Sequence, residues 1–367
     1  MKNVTAAVLA LLVSSAAGKL TVLSDILTNS TVTAEWNSTN KSYLDGPKLF
    51  GPANDTSYDW WYFDAVSTST NASVVVVFYN SGPDGFINTY EGGPLSVQIA
   101  GAFPNGTQYS LVVPATGAVI KTGPGGIILD FEDSGFSFVG SNVKNSEVTY
   151  TITIDSPDIG LQGTITWTSL APAHYPCDLN EPGVTEVIIP HVGWSNAIPD
   201  ATATVNISFS DNTTLRFTDG VGYHDKNWGD QPFVKSTSQW YWGHAHVGPY
   251  SIVWFDALDL TGQEYVSGYV AEDGEVLGAS CASQAVVARP WGANSTYPPT
   301  VTTGPMEGLE IKFDLGDGRT LVANVTTGTV LIEAAGYIRT IGTVEGGIEG
   351  GESYTGRALF EEFALIA

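Results

Sequence analysis

Three aromatic-rich segments contain most of the side chains that could do chemistry. They are residues 58–64 (YDWWYFD), 222–229 (GYHDKNWG) and 240–246 (WYWGHAH). In each segment, carboxylate, imidazole or amide groups alternate with large rings. A ligand-binding cavity typically has such a lining, mostly apolar and aromatic with a few convergent polar groups. The three segments therefore predict a pocket for a hydrophobic small molecule.

The alternation of side chains along a strand decides which of these groups share a face. In a strand, Asp59 and Trp61 point to one side, whereas Trp60 and Tyr62 point to the other. A shift of one residue in register would reverse every such assignment. Aromatic strand residues also commonly fill a core, because each ring buries a large area. Core packing is therefore the alternative interpretation of each segment taken alone.

The third segment would place Trp242, His244 and His246 on one side of its strand. A metal site there would need a further ligand, such as His224 or Asp225. Hydrogen-bonded pocket histidines are the simpler interpretation, so we expect no metal at this position.

Other common catalytic motifs do not occur in the sequence. There is no G-x-S-x-G elbow, no P-loop and no dinucleotide-binding fingerprint. Carboxylates are abundant, and their spacing singles out no glycosidase-like pair.

Many short strands are needed to position the three segments. Runs rich in β-branched residues, such as 74–79, 95–100 and 163–168, are separated by turn residues, as in 81–85 and 314–318. No amphipathic helix is evident. The pattern predicts an all-β protein, with an N-terminal β-sandwich over residues 19–235 and a C-terminal β-barrel over residues 236–367. The boundary is placed at a Gly-rich, irregular stretch, residues 218–235.

The charge balance excludes several classes of partner. The 367 residues include 38 acidic and 14 basic residues, which gives a formal net charge of −24. A nucleic-acid-binding protein needs Lys and Arg to displace phosphate counterions, and an anionic membrane surface attracts basic segments. We therefore expect no nucleic-acid partner and no docking on anionic membranes.

The N-terminus and the sequons predict a secretory-pathway protein. Residues 6–13 are apolar but too short to span a bilayer, and small residues follow, so residues 1–18 are interpreted as a signal peptide. Ten sequons suggest N-glycosylation. Cys177 and Cys281 could form one disulfide in that compartment, two buried thiols being the alternative. The sequons begin at Asn29, Asn37, Asn40, Asn54, Asn71, Asn105, Asn206, Asn212, Asn294 and Asn324.

In combination, these segments resemble the motifs of the fungal Diels–Alderase family. The matching stretches are 59–64 (DWWYFD), 222–229, 241–250 (YWGHAHVGPY) and 351–356 (GESYTG). This lipocalin-like group includes decalin-forming pericyclases, secreted hetero-Diels–Alderases of tropolone–sesquiterpene pathways and kievitone hydratase. The resemblance implies two β domains, a substrate pocket between or beside them, and no cofactor or metal.

The resemblance also assigns residues. Asp59 matches an acidic pocket position that is Glu in decalin-forming members, and Trp194, Trp228 and Trp242 match aromatic positions. The Asp at residue 59, and His244 and His246 after Trp242, depart from those members and disfavour a decalin substrate.

We therefore predict a cofactor-free (hetero-)Diels–Alder cyclase that acts on a hydrophobic polyketide or terpenoid intermediate. Its dehydration to an o-quinone methide would use Asp59 with His244 or His246 as acid and base. Trp61, Trp194, Trp228 and Trp242 would shape the pocket, and His244, His246 or Asn196 would supply hydrogen-bond donors. The alternatives are a hydratase or dehydratase of a phenolic metabolite and a non-catalytic lipocalin-like carrier. Unpaired strand edges leave a homodimer open.

Overall fold

The structure is a computed structural model that describes residues 18–86, 92–334 and 336–365. These residues form 22 β-strands, joined by turns and by short 3-10 turns such as Pro157–Ile159 and Phe233–Lys235. The predicted all-β fold is confirmed. The predicted signal peptide lies almost wholly outside the described residues.

The first sheet contains thirteen strands, all from the first 229 residues. Twelve of them follow the order β1-β6-β7-β8-β9-β10-β12-β13-β2-β3-β4-β5, and β11 pairs with β12. Its strands are β1 Lys19–Ser24, β2 Tyr58–Ser67, β3 Ser73–Ser81, β4 Leu95–Ala102, β5 Gln108–Pro114, β6 Gly117–Gly123, β7 Gly126–Glu132, β8 Phe136–Ser141, β9 Thr149–Ser156, β10 Leu161–Ser169, β11 Val187–Ile189, β12 Val192–Phe209 and β13 Thr214–Gly229.

The second sheet contains the remaining nine strands in the order β17-β16-β15-β14-β22-β21-β20-β19-β18. The connection from β13 to β14 contains the predicted domain boundary after residue 235. Independent folding of the two halves stays a prediction. The strands are β14 Gln239–Val247, β15 Tyr250–Leu258, β16 Glu264–Glu272, β17 Glu275–Ser280, β18 Val286–Trp291, β19 Gly308–Asp314, β20 Thr320–Ala334, β21 Tyr337–Ile348 and β22 Tyr354–Ala364.

Each sheet encloses its own apolar core, and a third core lies where the two sheets meet. Strand β2 shows the arrangement, because all ten of its residues are buried. Trp61 and Phe63 pack inside the first sheet. Trp60 and Tyr62 pack on the opposite side, against residues of the second sheet such as Trp242. The aromatic run of β2 is therefore continuous because both of its faces are covered.

A disulfide joins the two sheets covalently. Cys177, between β10 and β11, is bonded to Cys281, between β17 and β18, with a Cα–Cα distance of 4.6 Å. The predicted pairing is confirmed in the structure.

The described residues contain no helix long and apolar enough to cross a membrane. Of the ten sequon asparagines, all except the half-buried Asn54 are exposed.

Candidate active site

A cavity of about 570 Å³ lies between the two sheets. Strands β2, β3, β4, β5 and β13 form one wall, and β14, β15, β20, β21 and β22 form the other. Both sheets are therefore needed to enclose it. Its lining residues are Trp60, Tyr62, Val77, Tyr79, Phe86, Gln98, Ser110, Asp225, Asn227, Trp240, Trp242, Phe255, Leu331, Ile332, Glu333, Ala334, Tyr337, Arg339, Glu361 and Phe363.

Aromatic rings are the largest group in the cavity wall, with nine of its twenty residues. Tyr62 meets Trp242 edge to face, with ring centroids 5.4 Å apart. Trp240 makes similar contacts with Phe255 at 4.9 Å and Phe363 at 4.5 Å. These rings hold one another in place, so this part of the cavity wall is preformed and rich in π faces. Such faces attract positive charge when water is excluded.

Asp225 is a buried carboxyl group in this wall. Residues 223, 225 and 227 of β13 share one face, which brings Asp225 and Asn227 to the cavity. Oδ2 of Asp225 accepts hydrogen bonds from Trp194 Nε1 at 2.7 Å and Tyr223 Oη at 2.8 Å. Oδ1 has no hydrogen-bond partner among the described residues.

Burial is the main reason that Asp225 differs from an ordinary aspartate. Loss of solvent disfavours its charged form and raises its pKa to about 7, although the bonds from Trp194 and Tyr223 act in the opposite direction. Since Oδ2 accepts two hydrogen bonds, the proton of the neutral acid belongs on Oδ1. The neutral and charged forms of Asp225 are therefore both accessible near neutral pH.

A second polar group on the cavity wall is the ion pair of Arg339 and Glu361. Arg339 Nε donates to Glu361 Oε1 at 2.7 Å, and Tyr337 Oη donates to the same oxygen at 2.7 Å. The guanidinium also lies over the Tyr62 ring, 5.1 Å from its centroid. Both charges are more than nine-tenths buried. The pair is therefore held rigidly and is close to neutral as a unit.

Two of the predicted binding residues lie directly behind Asp225. Trp194 donates to its carboxyl group, and Asn196 Nδ2 donates to Tyr223 Oη at 2.6 Å. Neither residue lines the cavity. Of the residues predicted to contact the substrate, Trp242 does line it.

Asp59, Trp61 and Trp228 lie on the other side of their strands. Asp59 is fully buried, forms an ion pair with Lys226 Nζ, and accepts a hydrogen bond from the Lys48 backbone N–H at 2.8 Å. The Lys226 ammonium lies 4.1 Å from the Trp61 ring centroid and 5.5 Å from that of Trp228. These residues form a closed cluster away from the cavity, because the register of β2 turns the even-numbered side chains toward it instead.

The two predicted catalytic histidines lie on the same side of β14 but contact different carboxylates of the first sheet. His244 stacks on Tyr223 at 4.5 Å and contacts Asp64 Oδ2 through Nε2 at 2.9 Å, behind the cavity wall. His246 lies in a separate open groove and contacts Asp200 Oδ2 through Nδ1 at 2.7 Å. The structure therefore does not bring Asp59, His244 and His246 together.

Within the ranges that the structure covers, no three His, Cys, Asp or Glu side chains are arranged to hold a metal ion. His224, the third ligand considered from the sequence, instead stacks on Phe63 at 3.7 Å and contacts the Tyr62 carbonyl.

Sequence reasoning missed the polar residues that the cavity exposes. Asp225 was considered only as a metal ligand, although its spacing from Tyr223 and Asn227 gives all three the same face. Arg339 and Glu361 were not considered. In the sequence, the available indication was a charged residue next to apolar residues in each of the strands β21 and β22.

Comparison with known proteins identifies relatives along most of the chain. A family model described as Diels-Alderase-like matches residues 18–296. The quinolone epoxide rearrangement protein asqO of Emericella nidulans is 42% identical over 322 residues, which cover 87% of both chains. Its counterpart penF of Penicillium thymicola is 43% identical over 87% of this chain and 88% of that protein. The Diels-Alderase poxQ of Penicillium oxalicum is 23% identical over 64% of this chain and 52% of its own length.

Solved structures show the same architecture. The crystal structure of CghA with Sch210972 superposes with a TM-score of 0.76 at 18% identity, over 95% of this chain and 99% of that one. Kievitone hydratase from Nectria haematococca gives a TM-score of 0.52 at 14% identity, over 91% and 99% of the two chains. The predicted lipocalin-like fold and the resemblance found in the sequence motifs are confirmed.

Proposed function

Because this chain belongs to the Diels-Alderase-like family, we propose that it is a cofactor-free enzyme that isomerises a hydrophobic epoxide in the cavity between its sheets. The observation that carries the proposal is the carboxyl group of Asp225. Its pKa is about 7, and it lines the cavity between the sheets. Two relatives that align with 87% of the chain are named quinolone epoxide rearrangement proteins, which supports the proposal.

The proposed reaction needs only a proton and a dry cavity. Asp225 Oδ1–H protonates the epoxide oxygen, the C–O bond breaks, and its electron pair stays on oxygen as a hydroxyl group. Positive charge then develops on carbon, facing the rings of Tyr62, Trp240 and Trp242, which stabilise it. Migration of a neighbouring group, or attack by an internal nucleophile, fills the carbon, and the proton that is released returns to Asp225. Product and substrate are isomers.

The decisive variant is Asp225→Asn, which keeps the size of the side chain and removes the acid. We expect turnover of a quinolone with a side-chain epoxide to fall by about two to four orders of magnitude. Glu362→Gln is the matched control, because Glu362 is also a buried carboxyl with a pKa raised by burial, to about 8, but does not line the cavity. Full activity in Asp225→Asn would contradict the proposal.

Mass analysis of the products separates the alternatives. An isomer of unchanged mass supports rearrangement, and a product heavier by one water supports a hydratase. Unchanged epoxide that nevertheless binds supports a carrier.

A (hetero-)Diels–Alder cyclisation is the second candidate. The Diels-Alderases among the relatives favour it, and loss of water to give an o-quinone methide would need an acid in the position of Asp225. Incubation with a hydroxymethyl phenol and an alkene tests this candidate, since the protein must then change the rate and the stereochemical ratio of the adduct.

We also propose that the chain enters the secretory pathway. The apolar N-terminal run, the disulfide and the exposure of nine of the ten sequon asparagines support this proposal. Enzymatic removal of N-glycans from the natively expressed protein should lower its mass and leave Asp at the occupied positions. An unchanged mass would contradict glycosylation.

A further inference from the structure

The wall opposite Asp225 holds a donor and an acceptor side by side. Arg339 and Glu361 come from adjacent antiparallel strands, paired directly in the register of β21 and β22. Both line the cavity and both are more than nine-tenths buried. The second sheet therefore presents a buried positive and a buried negative group side by side in a wall of aromatic and aliphatic residues, where the remaining charged residue, Glu333, is exposed.

Each of these two groups has hydrogen-bonding capacity left over. Arg339 Nη2 makes no hydrogen bond with any described residue and, unlike the enclosed Nη1, is not shut off from the cavity. The bonds to Glu361 from Arg339 and Tyr337 both reach Oε1, which leaves Oε2 without a donor in the described part of the chain. A buried polar group without a partner costs free energy unless a ligand or water satisfies it.

The charge of the pair limits the kind of ligand that fits. A carboxylate would be attracted by Arg339 but repelled by Glu361. A cation would be attracted by Glu361 but repelled by Arg339. A neutral group that accepts at one atom and donates at the next satisfies both. A cis-amide, in which the C=O and N–H lie on the same edge, has this pattern.

We propose that Arg339 and Glu361 recognise the lactam edge of the substrate, with the carbonyl toward Arg339 and the N–H toward Glu361. This inference rests on the proposed function, since it names the substrate class of the same cavity as a neutral aromatic lactam such as a 2-quinolone. The flat ring system would lie against the aromatic wall, and a substituent on it would reach Asp225.

The two groups are held ready for such a ligand. The guanidinium lies 5.1 Å from the Tyr62 centroid and 5.5 Å from the Tyr337 centroid. Tyr337 in turn stacks on Phe363 at 4.4 Å. Binding therefore requires little reordering of either side chain.

The test uses 2-quinolone, N-methyl-2-quinolone and coumarin as probes of the intact, disulfide-bonded protein. The three molecules have similar shape, but only 2-quinolone has the N–H. We expect it to bind about tenfold to a hundredfold more tightly than the other two, because they leave the buried carboxylate unpaired. Quenching of Trp fluorescence or calorimetry gives the affinities. Equal affinities for the three probes, or no binding of 2-quinolone at about 1 mM, would overturn the inference.

Two variants separate recognition from chemistry. Tyr337→Phe removes one bond that holds Glu361, so the preference for 2-quinolone should shrink severalfold. Asp225→Asn should keep the preference even though it loses turnover. If the wild-type protein shows the preference but isomerises no epoxide, the proposed function fails and the lactam assignment stands. If epoxides turn over without regard to an N–H, the lactam assignment fails alone.

Discussion

Burial raises the pKa of Asp225, and the two hydrogen bonds that its carboxyl group accepts reduce this increase without cancelling it. A carboxyl with a pKa of about 7 is neutral below that pH and charged above it. Only the neutral form can protonate a substrate. The environment of one residue therefore sets the working range of the proposed reaction.

We expect the turnover rate to be constant at acid pH and to fall as the pH rises through about 7.

Folding stability should show the same titration. Because the folded-state pKa lies above the ordinary value of 3.8, the contribution of Asp225 is present below pH 3.8 and is lost as the pH rises through about 7. Rate profiles and thermal unfolding between pH 5 and 9 measure both effects, at about half-unit steps. A rate that increases above pH 7 would contradict an acid role.

Among the residues predicted to contact a substrate, Trp242 lines the cavity, whereas the polar residues of the cavity were not predicted. Trp60 and Trp61 are adjacent, equally aromatic and both buried. Only the pairing of β2 with β13 and β3 decides which of them faces the cavity. That pairing joins distant parts of the chain, so it cannot be predicted from the residues of β2 alone.

Strands β2 and β13 carry a structural charge cluster on one side and the proposed acid on the other. The pairing places Asp59 opposite Trp228 and Lys226 opposite Trp61. Burial lowers the pKa of Lys226, and Asp59 opposes that effect. Asp59 is therefore the charge partner of Lys226 inside the sheet.

Replacing Asp59 with Asn should destabilise the fold by about 3–5 kcal/mol, because it leaves the Lys226 charge buried and unpaired. Urea unfolding measures the change. Asp317→Asn is the matched control, since the ion pair of Asp317 with Arg319 is exposed and should cost at most about 1 kcal/mol. If Asp59 were the cavity acid predicted from the sequence, the variant would instead remain stable and lose turnover.

Strand positions were easier to predict than their partners. The β-branched runs at 74–79, 95–100 and 163–168 all lie in strands, and the turn at 314–318 joins β19 to β20. Strand β13 pairs with β2, which lies more than 150 residues earlier in the chain. This pairing depends on packing of the whole sheet and not on local composition.

For the whole molecule, the disulfide is the covalent link between the two sheets. Its cysteines are 104 residues apart in sequence. A crosslink that closes a long loop restricts the unfolded chain strongly. It also fixes two halves that must stay together for the cavity to exist.

The double variant Cys177→Ser, Cys281→Ser should therefore lose about 2–5 kcal/mol of unfolding free energy. Denaturant titration of the purified protein measures the loss, and the wild-type protein treated with a thiol reductant should behave in the same way. An unchanged midpoint in both samples would show that the link is dispensable.

The proton donor and the lactam-recognising pair come from different sheets, and the match to the family model ends at residue 296, between them. We therefore expect exchange of the last hairpins to change which molecules are accepted and to leave the proposed proton transfer in place. Chimeras between relatives, joined in the connection from β19 to β20, should transfer substrate preference in a single step.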